Sequence, residues 1–436
     1  MRVLFINPNP YRPAVPPVGL EYVAEATREA GHEVSIFDTS IEDIGALRAR
    51  VLSWRPDVIG VTLRNLDTGH FFNSVGYVRP TAALVSSLRH DFAGPIVLGG
   101  AAFTLAPRLL LEAIGADLGV VGEGEGVLPA LLGRLDAPHE VANVVYRDGR
   151  GGPVRETPRR FDWRPALRAR RDTVDHHAYY RRYGDLPGHS LANVQTARGC
   201  DRFCTYCAEP RVIGRNIITR DPDDVVDEVE RFVARGIRDR FFFVDSEFNA
   251  SPAHAAAVCE AILRRGVKIR WGAYLVPDGV DREFLGLLDR AGCRDLVWTM
   301  ESASDRVLRS LAKSHRSDDV VRVGRACGEL GLRPIILLMF GGPGETAATV
   351  ADTWRKVHDV PDAVFGVVTG VRVYPSTPLA RQAIREGQIA DEAALLEPVY
   401  YRPEHVRETV FPAVQQHFGA MPNAIVLGPD RKTRFE

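Results

Sequence analysis

The sequence contains the stretch Gly199-Cys200-Asp201-Arg202-Phe203-Cys204-Thr205-Tyr206-Cys207. Its three cysteines have the spacing C-x3-C-x2-C, and they directly follow an apolar segment, starting at Leu191, that is predicted to be a strand. The chain has 436 residues and six cysteines, which are too few for a disulfide framework. Three thiols clustered on one loop therefore indicate a metal site.

The number of ligands distinguishes two kinds of metal site. A zinc site requires a fourth protein ligand, and neither a second C-x2-C nor a suitably spaced histidine pair lies nearby. A cubane of four irons is held by three thiolates, and its fourth iron can accept an exogenous amine and carboxylate. The spacing therefore favours a [4Fe-4S] cluster on Cys200, Cys204 and Cys207. The alternative is a zinc knuckle that His189 or His254 completes.

Strands and helices alternate after this motif, from residue 191 to about residue 375. The predicted strands begin at Leu191 and continue with Arg240–Val244, Lys268–Tyr274, Leu296–Trp298, Ile335–Phe340 and Val364–Val373. Six such units form an open barrel, in which chemistry takes place at the carboxyl ends of the strands. We therefore predict a partial (β/α)6 barrel over residues 191–375, followed by a C-terminal extension over residues 376–436.

The first 145 residues also alternate between short apolar strands and amphipathic helices. The strand candidates are Val3–Ile6, Val34–Phe37, Val58–Val61, Ile96–Leu98 and Leu118–Val121. This is the pattern of parallel strands joined by crossover helices, and it predicts an α/β, flavodoxin-like (Rossmann-like) domain over residues 1–145. Residues 146–190 are rich in arginine, proline and aromatic residues, which predicts a linker.

Composition and charge limit the partners. The chain has 45% hydrophobic residues and a formal charge of −1, so no overall field attracts it to nucleic acid or to an anionic membrane. The basic run Arg168–Arg171 is too isolated to predict nucleic-acid binding. No signal peptide is recognised, and no apolar run reaches the roughly 20 residues of a membrane span. We expect a cytoplasmic protein with a small-molecule substrate.

The cysteine loop, with the aromatic Tyr206 before its last cysteine, resembles the signature of the radical S-adenosylmethionine superfamily. The resemblance implies that the open iron chelates the methionine part of S-adenosylmethionine. It also implies that an electron from the cluster cleaves the cofactor to a 5′-deoxyadenosyl radical, which abstracts hydrogen from an unactivated position. A reductant protein such as flavodoxin or ferredoxin is the expected electron donor.

Polar residues at two predicted strand ends match the same family. Asp245 lies in Phe243–Phe248, which resembles the segment that places polar groups near the cofactor's amino group. Glu301 ends the fourth strand of the barrel, where its carboxylate is expected to contact cofactor or substrate. Helix capping is the alternative role for such residues. Tyr206 is a third catalytic candidate, as a proton donor, although packing on the cluster also explains it.

Two later segments extend the resemblance. Gly341–Thr346 is similar to the family's glycine-proline-glycine turn, which lets the backbone approach the adenosine through Gly341, Gly342 and Gly344. Arg372–Leu379 resembles the segment that closes the barrel, and Arg372 is expected to contact the cofactor. Glycine is commoner in the family at the position of Ser376.

The first domain resembles the cobalamin-binding domain of one radical S-adenosylmethionine class. The resemblance implies that Gly99, Gly100 and Gly122 let the cofactor lie against the backbone, with Thr62 on the neighbouring strand in contact with its tail. Tight turns alone are the alternative role of these glycines. The loop from Asn7 to Val18 contains no histidine to ligate cobalt. The alternative that the domain keeps the fold but binds no cobalamin therefore stays open.

Three functions are compatible with these motifs. The first is a cobalamin-dependent radical methyltransferase acting on an unactivated carbon of a natural-product or lipid intermediate. The alternative is a radical dehydratase or epimerase of a sugar or aminoglycoside, with a first domain that binds no cobalamin. The third hypothesis is a cobalamin or redox sensor with a structural cluster. It explains poorly why the chain has the Gly341–Thr346 and Glu301 segments.

Overall fold

A computed structural model describes residues 1–149, 152–160, 170–185, 190–358 and 360–429. The chain forms two compact units. The first comprises Met1–Thr68, Val75–Leu191 and Arg211–Gly214, and the second comprises Gly69–Ser74, Ala192–Pro210 and Arg215–Glu436. His189 and part of the basic run Arg168–Arg171 lie outside the described residues.

Seven strands among the described residues form the sheet of the first unit, in the order β2-β1-β3-β4-β5-β6-β7. They are β1 (Arg2–Asn7), β2 (Glu33–Asp38), β3 (Val58–Thr62), β4 (Ile96–Gly99), β5 (Leu118–Val120), β6 (Val144–Arg147) and β7 (Val154–Glu156). The first five are parallel and coincide with the five predicted strands, whereas β6 and β7 are antiparallel. The order 2-1-3-4-5 is that of flavodoxin-like folds, so the predicted fold class is confirmed.

Apolar strands such as Val3–Ile6 are buried because helices accompany the parallel strands. The helices of this unit are α1 (Val18–Glu29), α2 (Leu47–Trp54), α3 (Val78–Leu88), α4 (Ala101–Leu105), α5 (Pro107–Ile114), α6 (Gly124–Leu132) and α7 (His176–Tyr183). Strand β7 and helix α7 lie within residues 146–190, the predicted linker. The described part of that segment therefore contributes a strand and a helix to the first unit.

A buried ionic cluster joins α7 and the residues before it to α1. The Arg171 guanidinium lies 2.7 Å from the Glu21 carboxylate, both side chains are fully buried, and His176 Nε2 lies 3.0 Å from the other Glu21 oxygen. Burial would raise the pKa of Glu21, but Arg171 and His176 outweigh it and lower the pKa to about 2. The charge of Glu21 in the core is thus compensated from a segment about 150 residues away in sequence.

Seven parallel strands among the described residues form the main sheet of the second unit, in the order β16-β15-β14-β13-β12-β11-β8. They are β8 (Ala192–Val194), β11 (Phe241–Phe243), β12 (Trp271–Leu275), β13 (Cys293–Glu301), β14 (Pro334–Phe340), β15 (Val364–Thr369) and β16 (Ala424–Val426). A separate antiparallel pair consists of β9 (Ala197–Arg198) and β10 (Ile218–Thr219). The six predicted barrel strands are present, and β16 adds a strand from the C-terminal extension.

Helices connect these strands, as the alternating pattern predicted. They are α8 (Glu209–Val212), α9 (Pro222–Ala234), α10 (Pro252–Arg264), α11 (Arg282–Arg290), α12 (Asp305–Ser310), α13 (Ser317–Glu329), α14 (Ala347–Val357), α15 (Pro378–Arg385), α16 (Pro403–His405) and α17 (Phe411–Phe418). No helix in the described part of the chain is both long and apolar enough to cross a membrane.

The ionic cluster of the first unit yields a stability prediction. Replacing Arg171 by Met leaves the Glu21 carboxylate buried without its main cation, and losing one partner of a buried pair costs about 3–5 kcal/mol. Amide hydrogen exchange in α1 should therefore accelerate markedly. The control is Arg134→Met, which removes only a surface pair with Glu140. Equal exchange rates in the two variants would contradict a stabilising role for the cluster.

Candidate functional site

The cysteine loop begins at a position that only glycine can occupy. Gly199 has φ +106°, and a Cβ atom there would lie 2.0 Å from the carbonyl oxygen of Asn216. The loop is then fixed at Thr205, whose N–H donates to the Leu311 carbonyl at 3.0 Å and whose carbonyl accepts from Leu379 N–H at 2.9 Å. These bonds fix the backbone between the last two cysteines.

The three loop thiols are largely withdrawn from water. Cys200 is buried, and Cys204 and Cys207 are half-buried. Burial, with a smaller contribution from the neighbouring carboxylates and thiols, raises the pKa of Cys200 to about 11 and also raises the pKa values of Cys204 and Cys207. The thiols are therefore protonated at neutral pH, and binding of iron must release these protons.

The three loop thiols are the donor set that a [4Fe-4S] cluster uses. Among the described residues, no three His, Cys, Asp or Glu side chains are arranged to hold one metal ion, and this includes His254. In a cubane each thiolate binds a different iron, so the three sulfurs need not converge on one point. The chemistry of the donor set therefore fits a [4Fe-4S] cluster.

Asp245 lies just beyond β11, and its carboxylate is hydrogen-bonded mainly to backbone N–H groups. Its carboxylate accepts hydrogen bonds from the N–H groups of Thr196 at 2.7 Å and Ala197 at 3.0 Å, and from the Thr196 hydroxyl. Burial raises the pKa of Asp245 to about 6, although these hydrogen bonds oppose the shift. The predicted catalytic residue thus fixes the backbone that leads from β8 to the cysteine loop.

Arg202, within the cysteine loop, is held between two carboxylates. Its Nε atom lies 2.8 Å from Glu247 Oε2, and its Nη1 atom lies 2.8 Å from Asp278 Oδ2. The side chain also donates to the Ser314 hydroxyl at 3.1 Å. Burial raises the pKa of Glu247, while Arg202 opposes this effect. The arginine between the first two cysteines therefore ties the loop to the ends of β11 and β12.

Glu301 ends β13 in an unusual backbone conformation. Its φ is +58°, and the pairing of β13 with β14 shifts register between Thr299 and Glu301. Bulges and left-handed residues of this kind recur at functional sites because they redirect a side chain. The Glu301 carboxylate accepts a hydrogen bond from the Tyr206 hydroxyl at 2.6 Å. Two of the predicted catalytic residues are therefore in direct contact.

The second partner of Glu301 is Lys313, which no sequence motif predicted to be a site residue. Lys313 Nζ lies 2.9 Å from Glu301 Oε2 and donates to the Thr299 carbonyl at 3.3 Å. Burial would lower the pKa of Lys313, but the carboxylate of Glu301 raises it above its usual value. Burial and Glu301 together raise the pKa of Tyr206 as well. The phenol therefore keeps its proton beside a carboxylate that Lys313 neutralises.

The glycine turn lies at the end of β14. Gly341 and Gly344 have φ of +102° and +80°, and a Cβ atom on Gly341 would lie 2.8 Å from a Val406 methyl carbon. Glu345 follows, buried, and accepts from the Thr349 hydroxyl. Burial raises the pKa of Glu345 to about 7. Gly341 and Gly344 therefore require glycine for backbone reasons, and contact of Gly341, Gly342 and Gly344 with adenosine stays a prediction.

Arg372 is buried and bonded to main-chain carbonyls. It donates to Leu395 O and Glu397 O, both at 2.8 Å, and to Val399 O at 3.2 Å. These contacts hold the C-terminal extension against the segment that follows β15. The guanidinium is engaged with the main-chain carbonyls of residues 395–399, and its contact with the cofactor stays a prediction.

In the first unit, the predicted cobalamin residues follow neighbouring strands. Thr62 and Gly99 are paired at the carboxyl ends of β3 and β4. A Cβ atom on Gly99 would meet nothing within 4 Å, whereas one on Gly100, with φ +105°, would lie 2.6 Å from the Leu63 carbonyl oxygen. Gly122 donates its N–H to the Thr104 hydroxyl at 2.9 Å. Gly100 is thus required by the turn, and Gly99 borders open space.

Comparisons with known proteins agree with both units. Residues 194–357 match the model of the Radical SAM superfamily, and residues 10–132 match that of the B12 binding domain. Tryptophan 2-C-methyltransferase of Streptomyces laurentii is 28% identical over 87% of this chain and 74% of its own length. Cytidylyl-2-hydroxyethylphosphonate methyltransferase of Streptomyces wedmorensis is 24% identical over 92% of this chain and 84% of its own.

A solved structure supports the same assignment. The radical S-adenosylmethionine methyltransferase TsrM of Kitasatospora setae, with cobalamin and a [4Fe-4S] cluster bound, superposes with a TM-score of 0.78 at 28% identity. The match covers 88% of this chain and 78% of TsrM. The similarity extends through both of the units described above.

The contacts of Lys313 yield a prediction about cofactor cleavage. In Lys313→Met the Glu301 carboxylate loses its cation, and a misplacement of about 1 Å can lower a rate roughly 100-fold. We expect reductive formation of 5′-deoxyadenosine to fall by about that factor, and Lys313→Arg to retain more activity. Lys268→Met, at an exposed position, is the control. Wild-type activity in Lys313→Met would show that the ion pair is dispensable.

The open space at Gly99 yields a prediction about cobalamin. Gly99→Leu adds a side chain where the structure has room for one, so the fold should persist while the side chain fills the space predicted for cobalamin. Reconstituted protein should lose the visible absorption of bound hydroxocobalamin and keep its iron. The control is Gly286→Leu, which adds a side chain on a helix of the second unit. It should bind both hydroxocobalamin and iron. Normal cobalamin binding by Gly99→Leu would refute the location of this site.

Proposed function

Because the chain belongs to the radical S-adenosylmethionine enzymes that carry an N-terminal cobalamin-binding domain, we propose that it is a cobalamin-dependent methyltransferase. Its substrate is a small molecule that is methylated at an unactivated carbon. One observation carries the proposal: the site of a radical S-adenosylmethionine enzyme and a cobalamin-binding fold occur in one chain, and two relatives that match most of this chain are named for methyl transfer.

The cluster is proposed to be held by Cys200, Cys204 and Cys207. When bound, the cluster and S-adenosylmethionine supply a radical that removes hydrogen from the substrate, and cobalamin supplies the methyl group. The chain itself orients these groups. Gly199 and the hydrogen bonds of Thr205 set the loop backbone, and Asp245 fixes the strand end that precedes it.

Glu301 is proposed as the carboxylate that contacts cofactor or substrate. Lys313 forms an ion pair with one of its oxygens and positions it, and Tyr206 donates a hydrogen bond to its other oxygen. Because the pKa of Tyr206 is raised, the phenol serves as a hydrogen-bond donor at neutral pH rather than as a base. The three side chains form one unit, so a change at any of them should alter the other two.

Cobalamin is proposed to lie against the backbone of Gly99, with Thr62 and Gly122 beside it. The open space next to Gly99 supports this placement. The Asn7–Val18 loop contains no histidine, so cobalt would have no protein imidazole from that loop. The dehydratase or epimerase alternative gives no function to the open space next to Gly99. The two relatives named for methyl transfer also favour the methyltransferase.

The electron donor and the compartment are also proposals. A low-potential flavodoxin or ferredoxin is the proposed reductant, because cleavage of S-adenosylmethionine requires one electron that the chain does not generate. The cytoplasm is the proposed compartment, since its reducing conditions keep the cluster thiols from forming disulfides. The charge of −1 supports the expectation that nucleic acid is not a partner.

Product analysis tests the methyltransferase proposal. Each methylation should yield one S-adenosylhomocysteine, from recharging of cobalt, and one 5′-deoxyadenosine, from the radical step. Both products should require strong reductant, and they should be quantified together with the methylated product. Deoxyadenosine without S-adenosylhomocysteine would favour the rearrangement alternative. A methylated product without deoxyadenosine would contradict the radical step.

A further inference from the structure

Glu301 holds a backbone conformation that regular strand pairing does not impose. The register of β13 with β14 passes over Met300, since Thr299 pairs with Leu337 and Glu301 pairs with Leu338. Directly after this irregularity, Glu301 has a φ of +58°. A left-handed conformation is unfavourable for a residue with a side chain, so the surrounding contacts have to stabilise it.

Two hydrogen bonds converge on the carbonyl group that precedes Glu301. The Met300 oxygen accepts from the backbone N–H of Ser302 at 2.7 Å, which closes a three-residue turn around Glu301. The same oxygen accepts from His315 Nε2 at 3.1 Å. Because the Met300 carbonyl and the Glu301 N–H belong to one rigid peptide plane, a donor that fixes this carbonyl also restrains Glu301.

The His315 ring is suited to this role because it is buried and has one defined proton. Its side chain is fully covered. A carbonyl oxygen only accepts hydrogen bonds, which assigns the proton of the neutral ring to Nε2. Nδ1 has no hydrogen-bond partner, and it lies 4.0 Å from Asp278 Oδ1. Burial and then Lys313 lower the pKa of His315, so the ring is neutral at neutral pH.

His315 belongs to the loop between α12 and α13, and its two preceding residues contact the same region. Lys313 forms the ion pair with the Glu301 carboxylate and donates to the Thr299 carbonyl. The Ser314 hydroxyl accepts from Arg202 in the cysteine loop at 3.1 Å. Lys313 therefore holds the side chain of Glu301, whereas His315 holds the peptide before it.

The residue after Glu301 is held separately, by α14. The Ser302 and Thr353 hydroxyls lie 2.9 Å apart, and Thr353 Oγ1 also accepts from the N–H of Ala303 at 3.2 Å. Both Ser302 and Thr353 are fully buried. The turn is thus fixed at both ends, and His315 supplies the side-chain contact on the side of Met300.

We propose that His315 is a positioning residue for the reaction, which holds Glu301 in its left-handed conformation by donating a hydrogen bond to the Met300 carbonyl. This conformation directs the carboxylate to Tyr206 and Lys313. The inference rests on the proposed role of Glu301 as the carboxylate that contacts cofactor or substrate. His315 acts through Glu301 and has no chemical step of its own.

A matched pair of variants tests the hydrogen bond. Methionine and glutamine are similar in size, and only glutamine keeps an N–H donor. The full chain is reconstituted anaerobically and assayed for reductive formation of 5′-deoxyadenosine from S-adenosylmethionine. His315→Met should lower the rate at least about tenfold, because a small misplacement of Glu301 is costly. His315→Gln should restore most of the rate.

A double-mutant cycle separates positioning from general stabilisation. In a Glu301→Ala background, His315→Met should change the remaining rate by less than about twofold, because no carboxylate is left to position. A merely structural role would lower the rate by the same factor in both backgrounds. Val323→Ala is the control, because it removes buried methyl groups from α13, which follows the same loop. It should lower stability and keep the rate.

Iron content shows whether each variant is folded. If His315→Met loses its iron, His315→Asn takes its place in the cycle, because the shorter amide stays polar and ends near the position of Nδ1. The inference is overturned if the variant without the donor keeps the wild-type rate. It is also overturned if His315→Gln is no better than His315→Met, or if the loss is equal with and without Glu301.

Measuring methylated product beside 5′-deoxyadenosine distinguishes this inference from the proposed function. If the rate depends on His315 through Glu301 but no methyl transfer occurs, the methyltransferase proposal is wrong and the positioning role stands. If methyl transfer occurs and the rate is indifferent to His315, the positioning role is wrong and the proposed function stands. A wild type that forms no 5′-deoxyadenosine overturns both.

Discussion

Parallel pairing of strands is the constraint on which the rest of this structure depends. When strands run in one direction and helices return the chain, every strand delivers its carboxyl end to the same edge of the sheet. Thr62 and Gly99 meet in this way in the first unit. In the second unit the cysteine loop, Asp245, Glu301 and the glycine turn each follow a strand end. Each unit thus brings together residues that are far apart in sequence.

Burial divides the polar residues at these strand ends into two groups. Asp245 and Arg372 bond mainly to main-chain atoms, so their charges stabilise the loop and the C-terminal extension. Glu301 instead interacts with two side chains, Tyr206 and Lys313, and its left-handed backbone turns it out of the regular strand. An arrangement that holds a charge by side chains alone, at a strained position, is typical of a functional group.

Much of the fold was predictable, because hydrophobic periodicity is a local signal. The five strands of the first domain, the six barrel strands and the cysteine loop all follow from residues close together in sequence. The features that the sequence did not predict depend on contacts between residues far apart in the chain. Lys313 lies in an ordinary polar loop, and only folding brings it to Glu301. The pairing of β16 and the contact of Arg171 with Glu21 likewise join residues that no local pattern connects.

Three thiols are proposed to hold a cluster with one open iron. The most direct measurement is electron paramagnetic resonance of the reduced, anaerobically reconstituted protein with and without S-adenosylmethionine, together with its iron content. We expect about four irons per chain and a spectrum that changes when S-adenosylmethionine is added. Cys204→Ala should lose both the cluster iron and the spectrum. A spectrum indifferent to S-adenosylmethionine, or a full cluster in Cys204→Ala, would contradict this proposal.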